Sequence, residues 1–62
     1  MPYASGESPK MGDYVKNQYE QAGTVTAVHV TPEGRELIDI RWDERAVDAR
    51  SLDAIEFTRL LP

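Results

Sequence analysis

The chain has no cysteine and only one histidine among its 62 residues. Without cysteine there are no disulfides, no thiolate metal ligands and no cysteine nucleophile, so the domain must be held together by packing alone. The chain also lacks any apolar run near the roughly 18 residues that a membrane span requires. Its first residues, MPYASGESPK, do not show the basic and then apolar pattern of a signal peptide. We therefore expect a cytoplasmic protein with no membrane segment.

Positive charge is scarce, because the net charge is −4. Residues 31–62 hold eight carboxylates against five arginines, and the arginines are interleaved with the acids along the chain. Proteins that bind the phosphate backbone of nucleic acids usually carry an excess of positive charge. The charges therefore disfavour nucleic-acid binding and indicate a mixed, solvated surface.

Length and composition indicate one domain preceded by a tail. A chain this short buries only about 60% of the surface that its unfolded form exposes, so the core needs nearly every large apolar residue. Little remains for a deep pocket, and we expect no small-molecule substrate. Residues 1–10 contain two prolines, a glycine and two serines without an apolar period, which predicts a flexible tail from which Tyr3 could pack back. The domain itself is predicted to span residues 11–62.

The first half of the domain predicts two strands and a tight turn. Residues 14–16 form a short strand with Val15 inward. The following run, GTVTAVHV, is rich in β-branched residues, and its apolar positions change face near Ala27 and Val28. That change predicts a bulge there, and the next four residues, TPEG, predict a type I turn with a glycine bulge.

The segment LIDIRWDERAVDARS is the clearest β-hairpin, because apolar and charged residues alternate on both sides of its acidic tip. A two-residue loop would set Asp39 opposite Asp48. A four-residue loop instead sets Arg41 opposite Asp48 and Asp39 opposite Arg50. Opposed unlike charges stabilise a strand pair and opposed like charges destabilise it, so we predict the four-residue loop.

After the hairpin, Ser51 is the predicted N-cap of a single helical turn, with Leu52 and Ile55 on one side of it. Residues 57–61 are the predicted last strand. Five short strands with one helical turn before the fifth predict an all-β fold. The specific layout is that of a five-stranded SH3-like barrel.

Three short motifs carry a family resemblance, at residues 12–15 (GDYV), 23–25 (GTV) and 40–43 (IRWD). They resemble the G-D-x-V, G-x-V and W-D pattern of SH3-like barrels of the Tudor and KOW kind. The resemblance implies a fold more than a function. It leaves a nucleic-acid-associated barrel as one alternative function.

A further resemblance is to the plasmid-borne type II dihydrofolate reductases, small SH3-like barrels that assemble as tetramers round a central pore. It rests on three stretches: Met11 to Asp13 with Val15, the turn at residues 31–34, and an ungapped match over residues 47–56. The family's Val-Gln-Ile-Tyr signature falls on Val47-Asp48-Ala49-Arg50, and its pore lysine falls near Asn17. Only the valine agrees. The resemblance therefore implies the fold and self-association without the reductase chemistry, and no cofactor is expected; a reductase relative is kept as an alternative.

No combination of residues predicts catalysis or metal binding. His29 lies within a predicted strand, and no cysteine is present to complete a ligand set, which favours a structural histidine. Asp43, Glu44 and Asp48 are typical of a solvated hairpin tip rather than of an acid-base pair. Ser51 is a better helix cap than a nucleophile. We therefore expect no catalytic or metal-binding residues and no enzyme.

The aromatic side chains are the features that indicate a partner. Tudor-like barrels use such side chains as a cage for methylated ammonium groups, which an acidic surround favours. Tyr14, Tyr19 and Trp42 are the candidate partner-binding residues. Trp42 also continues the apolar face of Ile38 and Ile40, so a place in the core stays open for it. The sequence as a whole predicts a non-catalytic interaction module that binds a protein partner or its own copies.

Overall fold

A computed structural model describes residues 2–45 and 47–60. Its elements in chain order are β1 (Tyr14–Asn17), β2 (Ala22–Val30), β3 (Glu36–Trp42), β4 (Asp48–Asp53), a 3-10 turn (Ala54–Glu56) and β5 (Phe57–Arg59). Every strand pair is antiparallel, and the sheet order is β4-β3-β2-β1-β5. The all-β class, the five strands and the helical turn before the last strand are confirmed. The sheet is not closed, since in the described part of the chain β4 and β5 form its two edges.

One face of the sheet carries the core, and Val15 of β1 points into it as predicted. The buried side chains are Tyr3, Val15, Val25, Ile38, Ile40, Ala54 and Phe57, with Val28, Trp42 and Leu52 packed partly against them. Burying one large apolar side chain contributes about 1.5–3 kcal/mol relative to leaving it exposed. A domain with so few such side chains depends on each of them.

A bulge bends β2 at Thr26. The register of β2 against β3 shifts between Val25 and Ala27, which leaves Thr26 as the extra residue. The sequence predicted a bulge near Ala27 and Val28. The bulge is present as predicted, but it lies slightly earlier in β2. The physical reason is that the shift must precede Val28 for that residue to pair with Ile38 and reach the core.

The turn between β2 and β3 has the predicted form. The Gly34 N–H donates to the Thr31 carbonyl at 2.9 Å, and Gly34 has a φ of 87°. The Thr31 hydroxyl accepts from the Arg35 N–H at 3.1 Å. Glycine reaches positive φ without the steric cost that a Cβ brings, so the tight return into β3 depends on it.

The β3–β4 hairpin has the predicted register at its tip. Arg41 pairs with Asp48, and the Trp42 N–H donates to the Val47 carbonyl at 3.0 Å. The loop therefore consists of residues 43–46, the last of which lies outside the described residues. The charge argument for a four-residue loop is confirmed at this end of the hairpin.

The predicted pairing of Asp39 with Arg50 is wrong. The register shifts between Ile38 and Ile40, at the point where Ser51 adopts a left-handed φ of 58°. The Asp39 carboxylate instead accepts the Ser51 N–H at 2.9 Å. A bulge of this kind ends regular pairing, so Arg50 does not lie opposite Asp39 in the ladder.

The predicted N-cap is also wrong, because Ser51 belongs to β4. Asp53 caps the helical turn, and its carboxylate accepts the Ile55 N–H at 3.1 Å. Ala54, directly after the cap, is buried against the core, whereas Ile55 points outward. The last strand ends at Arg59, earlier than predicted, and the end of the predicted strand lies outside the described residues.

The N-terminal segment lies against the sheet. Tyr3 is only 1% exposed, and its hydroxyl donates to the Asp13 carboxylate at 2.8 Å. The Ala4 N–H donates to the Phe57 carbonyl at 2.8 Å. The mobility expected for residues 1–10 stays a prediction, and these contacts argue against it at Tyr3 and Ala4.

Candidate interaction surface

Trp42 ends β3 with its ring half-buried against the core. Its ring centroid is 6.0 Å from that of Phe57, with a tilt of 35° between the planes. Gly23 pairs with Trp42, and a Cβ on Gly23 would lie 2.5 Å from Ile40 Cγ2 and 2.6 Å from the Arg41 carbonyl oxygen. The absence of a side chain at Gly23 therefore lets the strands close beside Trp42. The ring is partly a core residue and partly accessible, which the sequence had left open.

A small cavity of about 190 Å³ lies beside Trp42. It is lined by Gln21, Ala22, Trp42, Glu44 and Arg45. The Asp43 N–H donates to the Ala22 carbonyl at 3.1 Å, which holds the hairpin loop against the start of β2. Val47, whose carbonyl accepts from Trp42, is 52% exposed. We call Val47 together with the cavity-lining residues the Trp42 surface.

Tyr14 lies on the opposite face of the sheet from Trp42. It pairs with Thr24, which pairs with Arg41, whereas Trp42 belongs to the neighbouring row. Tyr14 is 43% exposed, and its hydroxyl donates to the Asp43 carboxylate. That hydrogen bond raises the pKa of Tyr14, because only the neutral hydroxyl can donate it. Tyr14 and Trp42 therefore do not line one cage.

Tyr19 belongs to the loop between β1 and β2. The Asn17 side-chain oxygen accepts from the Tyr19 N–H at 2.9 Å and from the Gln21 N–H at 3.0 Å. The Tyr19 ring is 73% exposed. The structure thus places the three candidate aromatic residues in three separate settings, and Trp42 is the one of the three that lines the small cavity.

Most of the positive side chains in the described part of the chain lie beside carboxylates. The nitrogen–oxygen distances are 2.8 Å for Arg35–Asp53, 2.9 Å for Lys16–Glu20, 3.4 Å for Arg41–Asp48 and 3.6 Å for Arg59–Asp13. The hydrogen bond from Arg35 lowers the pKa of Asp53, with a further contribution from the Ile55 N–H. These pairs neutralise three of the five arginines locally, which disfavours a basic stripe of the kind that nucleic-acid binding uses.

His29 lies beside a carboxylate at the surface. Its Nε2 is 3.2 Å from Asp39 Oδ2, while Asp39 Oδ1 accepts the Ser51 N–H. The Thr26 hydroxyl donates to the Asp39 carbonyl at 3.3 Å. Asp39 thus connects the bulge of β2 with that of β4. The described residues contain no group of three or more histidine, cysteine or acidic side chains placed to hold a metal ion.

The two edges of the sheet differ in a way that the sequence analysis did not detect. At β5, the Ala4 N–H bonds to the Phe57 carbonyl and the Ser5 hydroxyl accepts from the Arg59 N–H at 3.2 Å. At β4, the described residues provide pairing on one side only, from β3. The order of the strands in the sheet decides which strand lies at an edge. The alternation of apolar and polar residues within one strand does not indicate that order.

A second depression, of about 430 Å³, lies between the β1–β2 loop and the helical turn. Its lining is mainly polar and includes the Lys16–Glu20 pair, with Ile55 as its one large apolar side chain. It contains no aromatic ring. It offers a partner less apolar area than the Trp42 surface does.

Comparisons with protein-family models, with curated proteins and with solved structures found no match for this chain. The positions that the reductase resemblance aligns with its signature, Val47 to Arg50, lead into and begin the edge strand β4. In the described part of the chain, no helix has the length and apolar character needed to cross a membrane.

Proposed function

We propose that this domain is a non-catalytic interaction module of the SH3-like type that binds a protein partner through the Trp42 surface. The observation that supports it is a half-buried tryptophan beside a small cavity at the rim of the sheet. Tryptophan and arginine are over-represented among residues that dominate binding energy at protein interfaces. The Trp42 surface combines Trp42 with Arg45 and the half-exposed Val47.

The size of the cavity favours a side chain of a partner over a small-molecule substrate. Sites that bury a drug-sized ligand usually enclose about 300–1,000 Å³, and the Trp42 cavity encloses about 190 Å³. A cavity of that volume suits one apolar or aromatic side chain. Glu44 and Arg45 at its margin would select the charges that flank that side chain.

A nucleic-acid-associated barrel is the second candidate, and the ion pairs of the arginines weigh against it. Arg35, Arg41 and Arg59 each lie within 4 Å of a carboxylate, so a phosphate would have to displace that carboxylate. A reductase relative is the third candidate. It is disfavoured because Asp48, Ala49 and Arg50 replace the glutamine, isoleucine and tyrosine of the resembling family. A cytoplasmic location is part of the same proposal.

The proposal is tested by selecting linear peptides from a display library against the whole chain. Selected peptides are titrated into ¹⁵N-labelled protein, with Trp42 fluorescence as a second readout, since the chain has one tryptophan. We expect shift changes at the Trp42 indole N–H and at the amides of Ala22, Glu44 and Val47. Arg45→Ala should weaken binding, while Glu33→Ala in the distant β2–β3 turn should not.

Shift changes centred on Tyr19 or on the polar depression would contradict the proposal. Retention of the protein on heparin at moderate salt would favour the nucleic-acid alternative instead. NADPH-dependent turnover above a buffer control would favour the reductase alternative.

A further inference from the structure

The backbone of β4 has hydrogen-bonding groups that point away from the sheet. The Trp42 N–H bonds to the Val47 carbonyl, so this pair is of the hydrogen-bonded kind. Hydrogen-bonded and non-hydrogen-bonded pairs alternate along an antiparallel ladder. The next pair, Arg41 with Asp48, is therefore non-hydrogen-bonded, and the N–H and C=O of Asp48 face outward. The Arg50 N–H faces outward too, because the carbonyl of Ala49, in the same peptide plane, belongs to the hydrogen-bonded pair with Ile40. The Arg50 carbonyl lies opposite the Ser51 N–H, which points to Asp39, so this carbonyl also faces away from β3.

Such an edge is a template for another strand, and proteins usually protect it. The β5 edge is protected by Ala4 and Ser5. The β4 strand contains neither lysine nor proline, the residues that most often prevent edge pairing. Its protection consists of its charged side chains and the bulge at Ser51, which leaves residues 48–50 as a short edge before the bulge.

The side chains of this edge are complementary to themselves. A symmetric dimer places the same strand of two copies antiparallel about a two-fold axis. Outward-facing groups must meet outward-facing groups, so Asp48 can oppose only Asp48 or Arg50 of the second copy. Leu52 is excluded because, beyond the bulge, it pairs with Ile38 and its backbone groups face β3. Centring the axis on Ala49 sets Asp48 opposite Arg50 and Arg50 opposite Asp48. Centring it on Asp48 or on Arg50 sets like charges directly opposite each other.

We propose that residues 48–50 of β4 pair with the same residues of a second copy of this chain, antiparallel about a two-fold axis at Ala49. The pairing joins each Asp48 to the Arg50 of the other copy through main-chain hydrogen bonds and an ion pair. This inference rests on the proposed function in treating the chain as an interaction module. It uses the strand edge rather than the cavity beside Trp42.

Two features of the structure set the strength of this contact. The edge before the bulge is three residues long, so the dimer is weak and its population depends on protein concentration. Arg41 of the same chain, whose Nε lies 3.4 Å from Asp48 Oδ1, competes with Arg50 of the second copy for that carboxylate. The ion pairs lie at the surface, so added salt weakens the dimer.

The test is a charge-reversal cycle followed by sedimentation over micromolar to millimolar concentrations. Asp48→Arg and Arg50→Asp each place like charges opposite each other in a homodimer. We expect either variant alone to raise the dissociation constant about tenfold or more. An equal mixture of the two variants restores both unlike pairs, so it should form a heterodimer with about the affinity of the unaltered chain.

Glu33→Arg and Lys10→Asp are the matched controls, since they change the net charge equally away from the edge. Both should dimerise as the unaltered chain does. Amide exchange in the unaltered protein is a second measurement that needs no variant: the Asp48 and Arg50 amides should gain protection as concentration rises. Folding of each variant is checked by its amide spectrum.

Three results would overturn the proposal. They are an unaltered chain that stays monomeric at millimolar concentration, single variants that still associate, and a mixture that forms no heterodimer. The peptide titration at the Trp42 surface is repeated on monomeric Arg50→Asp. If the unaltered chain binds the peptide and does not dimerise, this inference alone is refuted. If the unaltered chain dimerises and neither it nor Arg50→Asp binds the peptide, the proposed Trp42 surface alone is refuted.

Discussion

The β5 edge of the sheet is covered by the N-terminal segment, whereas the β4 edge faces outward and is interrupted by a bulge. At the covered edge Tyr3 is buried, and Asp13 accepts from the Tyr3 hydroxyl and from the Lys10 N–H at 2.9 Å. At the open edge no residue of β4 is fully buried. Buried contacts at one edge thus stabilise the domain, and the other edge with the nearby Trp42 surface is where we propose contacts with other chains.

The largest expected effect is at the covered edge. Tyr3→Ala removes a fully buried ring, and truncation of a buried aromatic side chain costs about 3–5 kcal/mol. We expect a loss of this size in the free energy of unfolding, measured by urea denaturation. Tyr19→Ala is the matched control and should change little, because the Tyr19 ring is exposed. Equal effects of the two variants would mean that residues 1–10 form a mobile tail.

The next effect concerns the position where the core meets the Trp42 surface. Gly23→Ala would place a methyl group 2.5 Å from Ile40 Cγ2 and 2.6 Å from a backbone oxygen. Overpacking of this kind costs about 1–3 kcal/mol. We expect a lower denaturation midpoint together with a shift in Trp42 emission. Gln18→Ala, in the exposed loop of the same hairpin, should change neither.

A smaller, pH-dependent effect is expected at the bulge of the open edge. The hydrogen bond from the Ser51 N–H, and then that from His29, lowers the pKa of Asp39 below its ordinary 3.8. The stabilising contribution of Asp39 is therefore present above that ordinary pKa and is lost as pH falls through the lowered value. Asp39→Asn should destabilise the domain at neutral pH, and the difference from the unaltered chain should shrink in acid.

Denaturation series from neutral pH to about pH 2, below the ordinary aspartate pKa, measure this difference. Glu33→Gln, at an exposed turn, is the control and should follow the unaltered chain at every pH. A gap between Asp39→Asn and the unaltered chain that stays constant into acid would show that the carboxylate charge is not what holds the bulge.

The smallest effect is expected on the outer surface of the open edge. Arg41 and Asp48 are paired at 3.4 Å, but both side chains are more than half exposed. Exposed pairs contribute about 0–1 kcal/mol. Arg41→Ala should therefore change the free energy of unfolding by no more than about 0.5 kcal/mol. A loss as large as that of Tyr3→Ala would make the open edge a second stabilising region and would remove the contrast between the edges.

Local patterns in the sequence determined the strands and their turns. Alternation of apolar and charged residues identified the β3–β4 hairpin, and opposed charges selected its four-residue loop, because both depend on residues a few positions apart. Proline and glycine spacing identified the turn at residues 31–34 for the same reason. The sequence also predicted a bulge in β2, because Val25 and Val28 are three positions apart and cannot share a face of a regular strand.

Only the tertiary structure decided the features that depend on distant segments. The Asp39 carboxylate bonds to the Ser51 N–H and His29 rather than opposing Arg50, because the shifted register brings that N–H within reach. Tyr3 is buried because the fold leaves room for its ring beside Asp13. The amino-acid composition of residues 1–10 had instead predicted a flexible tail. The order of strands in the sheet decides which edge is open, and that order follows from packing of the whole chain rather than from the pattern of any one strand.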